Sequence, residues 1–493
     1  VNDVVPFGLV VGVVAVAGLL AVLSNRLSER AHVPAPAIFL MCAAVASNVR
    51  PQLGNLSHQT VERVVTVALV VILFDGGMHI GWSRFRPAGY AVLAIGVVGT
   101  FATAAAVALL AHVGFGLDWW LALLLGTAVA PTDPAVVFSV LGRREVSGRS
   151  GTMLEGESGA NDPVGIALLA SLLAAGGVSV GAVGRMAAEF VAQMAVGAVV
   201  GLLGGWALLW FMRRVALPSE GLYPLRTLAA AMALFGLATV AHGSGFLAVF
   251  VAGIVIGDGR APYKGEIERF HSALASLGEI VAFLILGLTV DLTALAHRDV
   301  WVMGLVLAMA LALLIRPVLI GLVLAPVRLR RNERAFVLWA GLKGAVPILL
   351  GSFLLTAGVP QAQRLYDVIV VVVVFSVLVQ GGSVPTVARL LRVPMRTVEP
   401  EPWALGVRLR DEPHSVRRYR ITAGSPADGR TLEGLTLSFD DAWICFVVRG
   451  GELVPVRGRT VLHAGDELLV LADPEHSGEL TAAFSWPRPR DGA

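Results

Sequence analysis

Two short runs place oxygen-bearing side chains inside segments that are otherwise apolar. The first, residues 126–137, reads GTAVAPTDPAVV and sets Thr132 and Asp133 between Pro131 and Pro134. Two prolines so close together remove backbone donors, so the spacing predicts a break in this helix. A break beside a carboxylate frees carbonyls and half-helix ends that can coordinate a cation. The second run, residues 156–165, reads GESGANDPVG. Ser158 and Asp162 are four apart and share one helical stripe, while Glu157 and Asn161 share another about 100° away. The first stripe can offer hydroxyl and carboxylate oxygens to an ion or a proton. The second can face a buried cationic side chain, and Arg316 in LLIRPVL is its candidate mate, because a buried guanidinium needs an anion.

Two further segments carry weaker signals. Asp75 stands in the run LVVILFDGGMHI, at the end of an apolar segment, and is a candidate helper on a cation path. Lys343 stands in GLKGAVPILL, where Gly341, Gly344 and Pro347 predict a second broken helix. A lysine there can neutralise the exposed carbonyl ends of half-helices. His79, His112 and His242 fall at the ends of apolar runs and read as interfacial. Gly197, Gly201 and Gly205 form a ridge of small residues suited to close helix packing, within one chain or between two. Cys42 and Cys445 belong to segments of different character, so neither a disulfide nor a metal site is expected, and both read as core fillers.

The elements that must position these groups are membrane spans. Hydrophobic residues make up 56% of the 493 and charged ones 15%, with a mean hydropathy of +0.76, a balance that points to a bilayer as solvent. Each ionisable group inside a span then costs about 2.5 to 3.5 kcal/mol at a helix centre, so those present need a reason. The pattern predicts an all-α polytopic protein of about thirteen spans. They fall near 4–23, 35–49, 61–80, 89–112, 118–140, 157–176, 184–212, 224–242, 244–257, 273–290, 300–323, 334–356 and 364–386. Arginines and lysines crowd alternate loops, from Arg26 and Arg30 to Arg389, Arg392 and Arg396, which predicts an outside N-terminus and a cytoplasmic C-terminus. Nothing near Val1 reads as a cleaved signal peptide. A net charge of +3, spread through the loops, argues against a nucleic-acid partner.

After Arg396 the composition changes. The expected organisation is a membrane domain over 1–396, a linker over 397–416, a small cytoplasmic α+β domain over 417–485 and a tail over 486–493. Within the small domain, residues 443–448 and 467–471 read as strands, and Arg449-Gly450-Gly451-Glu452 reads as a hairpin turn.

Together these residues resemble the monovalent cation:proton antiporter-1 family, the NhaP and sodium/proton exchanger branch. The resemblance rests on Thr132-Asp133-Pro134, the run from Glu157 to Pro163, and Arg316, and it covers the whole membrane part. The stretch SGFLAVFVAGIVIG at 244–257 and the tail run VPVRGRTVLHAGDELLVL further resemble CvrA-type potassium/proton antiporters, which end in an RCK C-terminal (TrkA-C) regulatory domain. The resemblance implies an NhaA-like inverted-repeat fold in which the fifth and twelfth spans are paired broken helices that cross. It also implies a cation and proton site of Asp162, Asp133, Thr132 and Ser158, with Asp75 assisting, and a structural network of Glu157, Asn161 and Arg316. Many relatives have arginine where this chain has Lys343. A multi-pass cell-membrane protein is implied, as a homodimer, with a nucleotide or other small molecule as a candidate regulator of the tail and no cofactor.

The expected activity is secondary exchange of K+, or of Na+ by the same mechanism, for H+. With Asn161 where other members of the superfamily have a second aspartate, the exchange is expected to be electroneutral. A regulated cation channel is the rival from another class, but no TVGYG-like filter appears between spans. An intramembrane enzyme using Asp133 and Asp162 as a dyad fits the Ser158–Asp162 stripe less well.

Overall fold

Long apolar runs leave the backbone no partner but itself, so helices dominate the membrane part. The computed structural model describes residues 34–54, 56–141, 144–146, 149–177, 180–295, 297–397, 416–435, 442–450, 452–472 and 476–485. The expected first span, linker residues 398–415 and the expected tail lie outside these residues, and Thr397 and Val416, expected in the linker, belong to strands. The chain divides into two units, residues 1–400 and 401–493.

In the first unit, α1 (Ala35–Val49) follows Pro34, and α2 (His58–Leu93) begins where the Ser57 hydroxyl accepts the Thr60 amide. The α2 helix runs through a π-helical stretch, Ala94–Gly99, into α3 (Thr100–Phe115). A loop was expected between the third and fourth spans, but residues 82–88 are helical and the break is confined to Gly81, at φ +57°. Only glycine takes that conformation freely, and a Cβ there would meet the Asp258 carboxylate, which Ser83 holds by its amide and its hydroxyl.

Asp118 caps α4 (Trp119–Val129) by accepting the Trp120 amide at 2.9 Å. The chain then loses helical form from Ala130 to Pro134 before α5 (Ala135–Leu141). A short strand β1 (Arg144–Val146) leads to α6 (Arg149–Ala175), followed by α7 (Val180–Arg214), α8 (Leu222–Val240), α9 (Gly245–Gly257) and α10 (Lys264–Leu288). Beyond a single turn, α11 (Leu292–Leu295), α12 (Arg298–Ala310) continues through a π-helical stretch, Leu311–Ile320, into α13 (Gly321–Val323). Helix α14 (Arg331–Trp339) stops before a second non-helical segment, residues 340–344, and α15 (Ala345–Thr356) resumes. Finally α16 (Ala362–Phe375) passes through a π-helical stretch, Ser376–Gly381, into α17 (Gly382–Leu390). Strand β2 (Met395–Thr397) then pairs antiparallel with β1. Seven of the described helical runs are long and apolar enough to cross a membrane, and four shorter apolar helices accompany them.

Two sequence expectations are corrected here. Pro347 does not make the second break: it lies inside the first turn of α15, and the irregular segment precedes it. Cys42 and Cys445 are exposed, so neither fills a core. The Gly197, Gly201 and Gly205 ridge packs within the chain, since a Cβ at each would strike backbone or side-chain atoms of residues 244–255.

The second unit holds a four-stranded antiparallel sheet of β3 (Val416–Arg420), β4 (Trp443–Arg449), β5 (Glu452–Val454) and β6 (Glu467–Leu471), in the order β3-β6-β4-β5. The helix α18 (Ser477–Phe484) contributes Leu480 and Phe484 to a core with Tyr419, Ile421, Val447, Leu468 and Val470. Gly450, at φ +58°, stands in the hairpin between β4 and β5, where Arg449 faces Glu452. Asp466 is 1% exposed and accepts two bonds from Arg449, each 2.8 Å, and one from the His463 amide.

Those bonds, the Arg449 ones foremost, hold the Asp466 carboxyl below the usual carboxylate range. A group whose folded pKa is depressed contributes stability above its unfolded value, about 3.9, and loses it as pH falls through the folded value. Asp466→Asn is therefore expected to lower the protease resistance of the tail in the full chain at pH 7, equivalent to about 1 to 2 kcal/mol. It should also flatten the loss of resistance expected of the native chain as pH falls below about 4. Equal acid sensitivity of the two chains would remove Asp466 as the cause.

Candidate functional site

The two breaks meet. Across the crossing, the Asp133 amide donates to the Leu342 carbonyl at 2.8 Å. Lys343 extends its ammonium back to the carbonyls of Ala130 at 2.7 Å and Pro131 at 3.1 Å. These are the acceptors that the end of α4 leaves open, so the lysine satisfies a half-helix C-terminus with a full charge. The approach is close enough that a Cβ on Gly344 would overlap the Asp133 carboxylate, and one on Gly341 would overlap the Arg316 guanidinium. Asp133 itself caps α5, its carboxylate accepting the Ala135 amide at 2.9 Å.

Helix α6 lies against the first break. A Cβ on Gly165 would meet Pro131, and one turn earlier the Asn161 amide donates to the Thr132 hydroxyl at 2.7 Å. That hydroxyl donates in turn to Glu157 at 3.2 Å. Glu157 receives both terminal nitrogens of Arg316, at 2.7 and 2.9 Å, with side-chain exposures of 2% and 6%. Arg316 also donates to the carbonyls of Leu338 and Val337, fixing the end of α14 before the second break. The chain Asn161, Thr132, Glu157, Arg316 thus ties together α6, the break between α4 and α5, the π-helical stretch, and α14.

Along the other stripe of α6, Ser158 donates to Asp162 at 3.3 Å. Asp162 is 5% exposed, and its second oxygen, like the side-chain oxygen of Asn161, meets no donor. Its charge interacts with those of Asp133 and Lys343. Two donor-free oxygens next to a carboxylate-bearing break, in an apolar surround, suit a cation or a proton and little else. Asp75 stands apart from this cluster on α2, where Ser272 donates to it at 3.3 Å and His79 approaches it at 3.4 Å.

Comparison with known proteins decides the family. The profile described as sodium/hydrogen exchanger, transmembrane, matches residues 12–390. The chain belongs to the sodium/hydrogen exchanger family. This exchanger is accordingly a multi-pass secondary antiporter of a monovalent cation and protons, not an enzyme, and a TrkA-C domain matches its residues 416–485. It is 34% identical over 477 residues to the K(+)/H(+) antiporter NhaP2 of Shewanella oneidensis, covering 94% of this chain and 81% of that one. The K(+)/H(+) antiporter NhaP of Alkalimonas amylolytica is 32% identical over 484 residues, covering 96% and 83%. In fold, the exchanger is similar to the sodium proton antiporter MjNhaP1 from Methanocaldococcus jannaschii, with a TM-score of 0.66 at 21% identity over 78% of this chain and 99% of that one.

Three polar groups of the exchanger escaped the sequence reading. Ser376 accepts the Lys343 amide at 2.8 Å, and Gln380 donates to the Trp339 carbonyl at 2.6 Å, so the π-helical stretch of Ser376–Gly381 braces the second break. With Thr103, Arg316 and Lys343 they line a cavity of about 10 Å³, room for one water. The third is Glu279, inside α10, whose charge interacts with that of Asp133. All three stand within expected spans, but only Glu279 is ionisable, so the rule that singled out Asp133 applied to it and not to Ser376 or Gln380.

Proposed function

We propose that this chain exchanges K+, in preference to Na+, for H+ at Asp162 and Asp133, with Ser158 and Thr132 completing the oxygen set and Asp75 assisting on the path. The observation that carries the reading is the donor-free Asp162 oxygen, buried one turn from the contact of Gly165 with Pro131. A bare carboxylate in a low dielectric is costly, so the site crosses only when a cation or a proton neutralises it, and competition between the two gives exchange. Glu157, Asn161, Arg316 and Lys343 hold the frame and stay where they are. The amide of Asn161 is committed to Thr132 and carries no charge, which supports one cation per proton. K+ is favoured because the two relatives named above at 32% and 34% identity are K(+)/H(+) antiporters and because a TrkA-C domain is attached.

The finer architecture follows the same reading: thirteen spans in inverted repeats, an outside N-terminus, a cytoplasmic regulatory tail responding to a small molecule such as a nucleotide, and a homodimer in the cell membrane. The test is dequenching of a pH-sensitive dye in proteoliposomes given K+ or Na+ separately, with and without an imposed potential. Proton movement at lower K+ than Na+, indifferent to the potential, is expected. A current uncoupled from the pH gradient would establish a channel instead, and a response to Na+ alone would reverse the selectivity.

A further inference from the structure

Helix α2 resumes after the Gly81 break with the run WSRFRPAGY, residues 82–90, which mixes aromatics with two arginines. Its burial is one-sided. Ala88 and Gly89 are buried and Phe85 is half-buried, with its ring stacked on Trp82 at 5.9 Å between centroids. Trp82, Arg86 and Tyr90, four apart, share the opposite stripe, where Trp82 is 56% and Tyr90 70% exposed. Arg84 and Arg86 are both exposed, and among the described residues neither forms an ion pair or a hydrogen bond. Asp258, the acid that secures this run, is committed to the Ser83 amide and hydroxyl.

The exposed side of the helix continues past Tyr90 into Leu93 and Val98, apolar side chains suited to hydrocarbon. Tyr90, one turn before Leu93, therefore marks the boundary. Trp82 and Arg86 stand at the level of the headgroups, where amphipathic rings settle. A guanidinium with no counter-charge at that level fits the phosphate of a lipid, which it binds through two parallel N–H donors. On the buried side, a Cβ on Gly156 would meet Val92 and one on Gly96 would meet Ala160, so α6 packs directly on this helix.

We propose that residues 82–90 are a docking surface for anionic phospholipid headgroups, with Arg86 binding a phosphate between the Trp82 and Tyr90 rings and Arg84 adding attraction. Docking fixes the depth of the helix on which α6, the carrier of Glu157 and Asp162, is packed. The leaflet, the cytoplasmic one, rests on the topology proposed above; the surface itself does not.

The test is the melting temperature of the purified full chain in an uncharged detergent, titrated with phosphatidylglycerol, phosphatidylcholine or inorganic phosphate. Phosphatidylglycerol alone is expected to raise it. Each arginine contributes about fivefold in affinity for an anionic surface, so Arg84→Gln with Arg86→Gln should need about thirtyfold more phosphatidylglycerol for the same rise. Arg84→Lys with Arg86→Lys keeps the charges and should stay within about threefold of the native chain. Unaltered lipid dependence in the Gln pair overturns the proposal, as does an equal rise with inorganic phosphate. So does an equal loss in Arg328→Gln with Arg331→Gln, exposed arginines of another loop, because the effect would then be one of net charge. Should the Gln pair not give monodisperse protein, Arg86→Gln alone decides, by a fivefold loss or none. A reversed topology leaves these outcomes untouched, since a detergent micelle has no sides.

Discussion

Asp162→Asn is expected to reduce cation-dependent proton movement to the level of protein-free liposomes while leaving the protein intact. Asparagine is isosteric and can still accept from Ser158, now at 3.3 Å from a carboxylate oxygen, so packing on that stripe of α6 is kept. What disappears is the charge. At 4 Å a unit charge attracts a monovalent cation by about 4 kcal/mol in the effective dielectric of a protein interior, roughly a thousandfold in affinity. The proton-binding capacity of the residue disappears with it, so neither half of the exchange survives. Recovery as monodisperse protein with an unchanged melting temperature separates this outcome from misfolding. Exchange retained by the variant would sink the assignment of Asp162.

Much of this site could be read from residue types, because lone charges in low dielectric must find partners. Arg316 needed an anion and Glu157 is that anion; Lys343 needed acceptors, and the open carbonyls of Ala130 and Pro131 are those acceptors. The first break was legible for a local reason, since Pro131 and Pro134 remove donors from the helix they interrupt. Pro347 misled because proline in a first turn costs no intrahelical bond. Gly341 and Gly344 permit the second break, and they are required by the bulk that approaches them from other elements, which no local pattern reports.

Position in space explains the remaining differences. Thr132, read as an ion ligand, also belongs to the frame: its hydroxyl donates to Glu157 and accepts from Asn161, which leaves one lone pair for the proposed cation. The turn between the third and fourth spans could not be seen as a single glycine, because Pro87 and the polar run before it resemble a loop, although Asp258 from elsewhere in the chain secures Ser83 there. Glu279 was legible by the rule that found Asp133 and was passed over, as it lacks the flanking prolines that draw attention to the other.

The largest stability effect is expected at the Glu157–Arg316 pair. Both groups are nearly inaccessible, and the guanidinium gives two further donors to the last carbonyls of α14. Glu157→Gln leaves that cation without its counter-charge, a change that costs on the order of 3 to 5 kcal/mol in buried pairs. The melting temperature of the purified chain should fall by roughly 5 °C or more. Arg316→Gln should cost a similar amount, since it strands Glu157 and releases the Leu338 and Val337 carbonyls. The double variant has no buried net charge, so it should be more stable than the sum of the single losses implies, by about 1 to 3 kcal/mol. Thermal unfolding of all four proteins in one detergent measures this coupling. Strict additivity would mean that the two side chains stabilise the crossing separately, Arg316 through the α14 carbonyls and Glu157 through Thr132, and that the ion pair contributes nothing of its own.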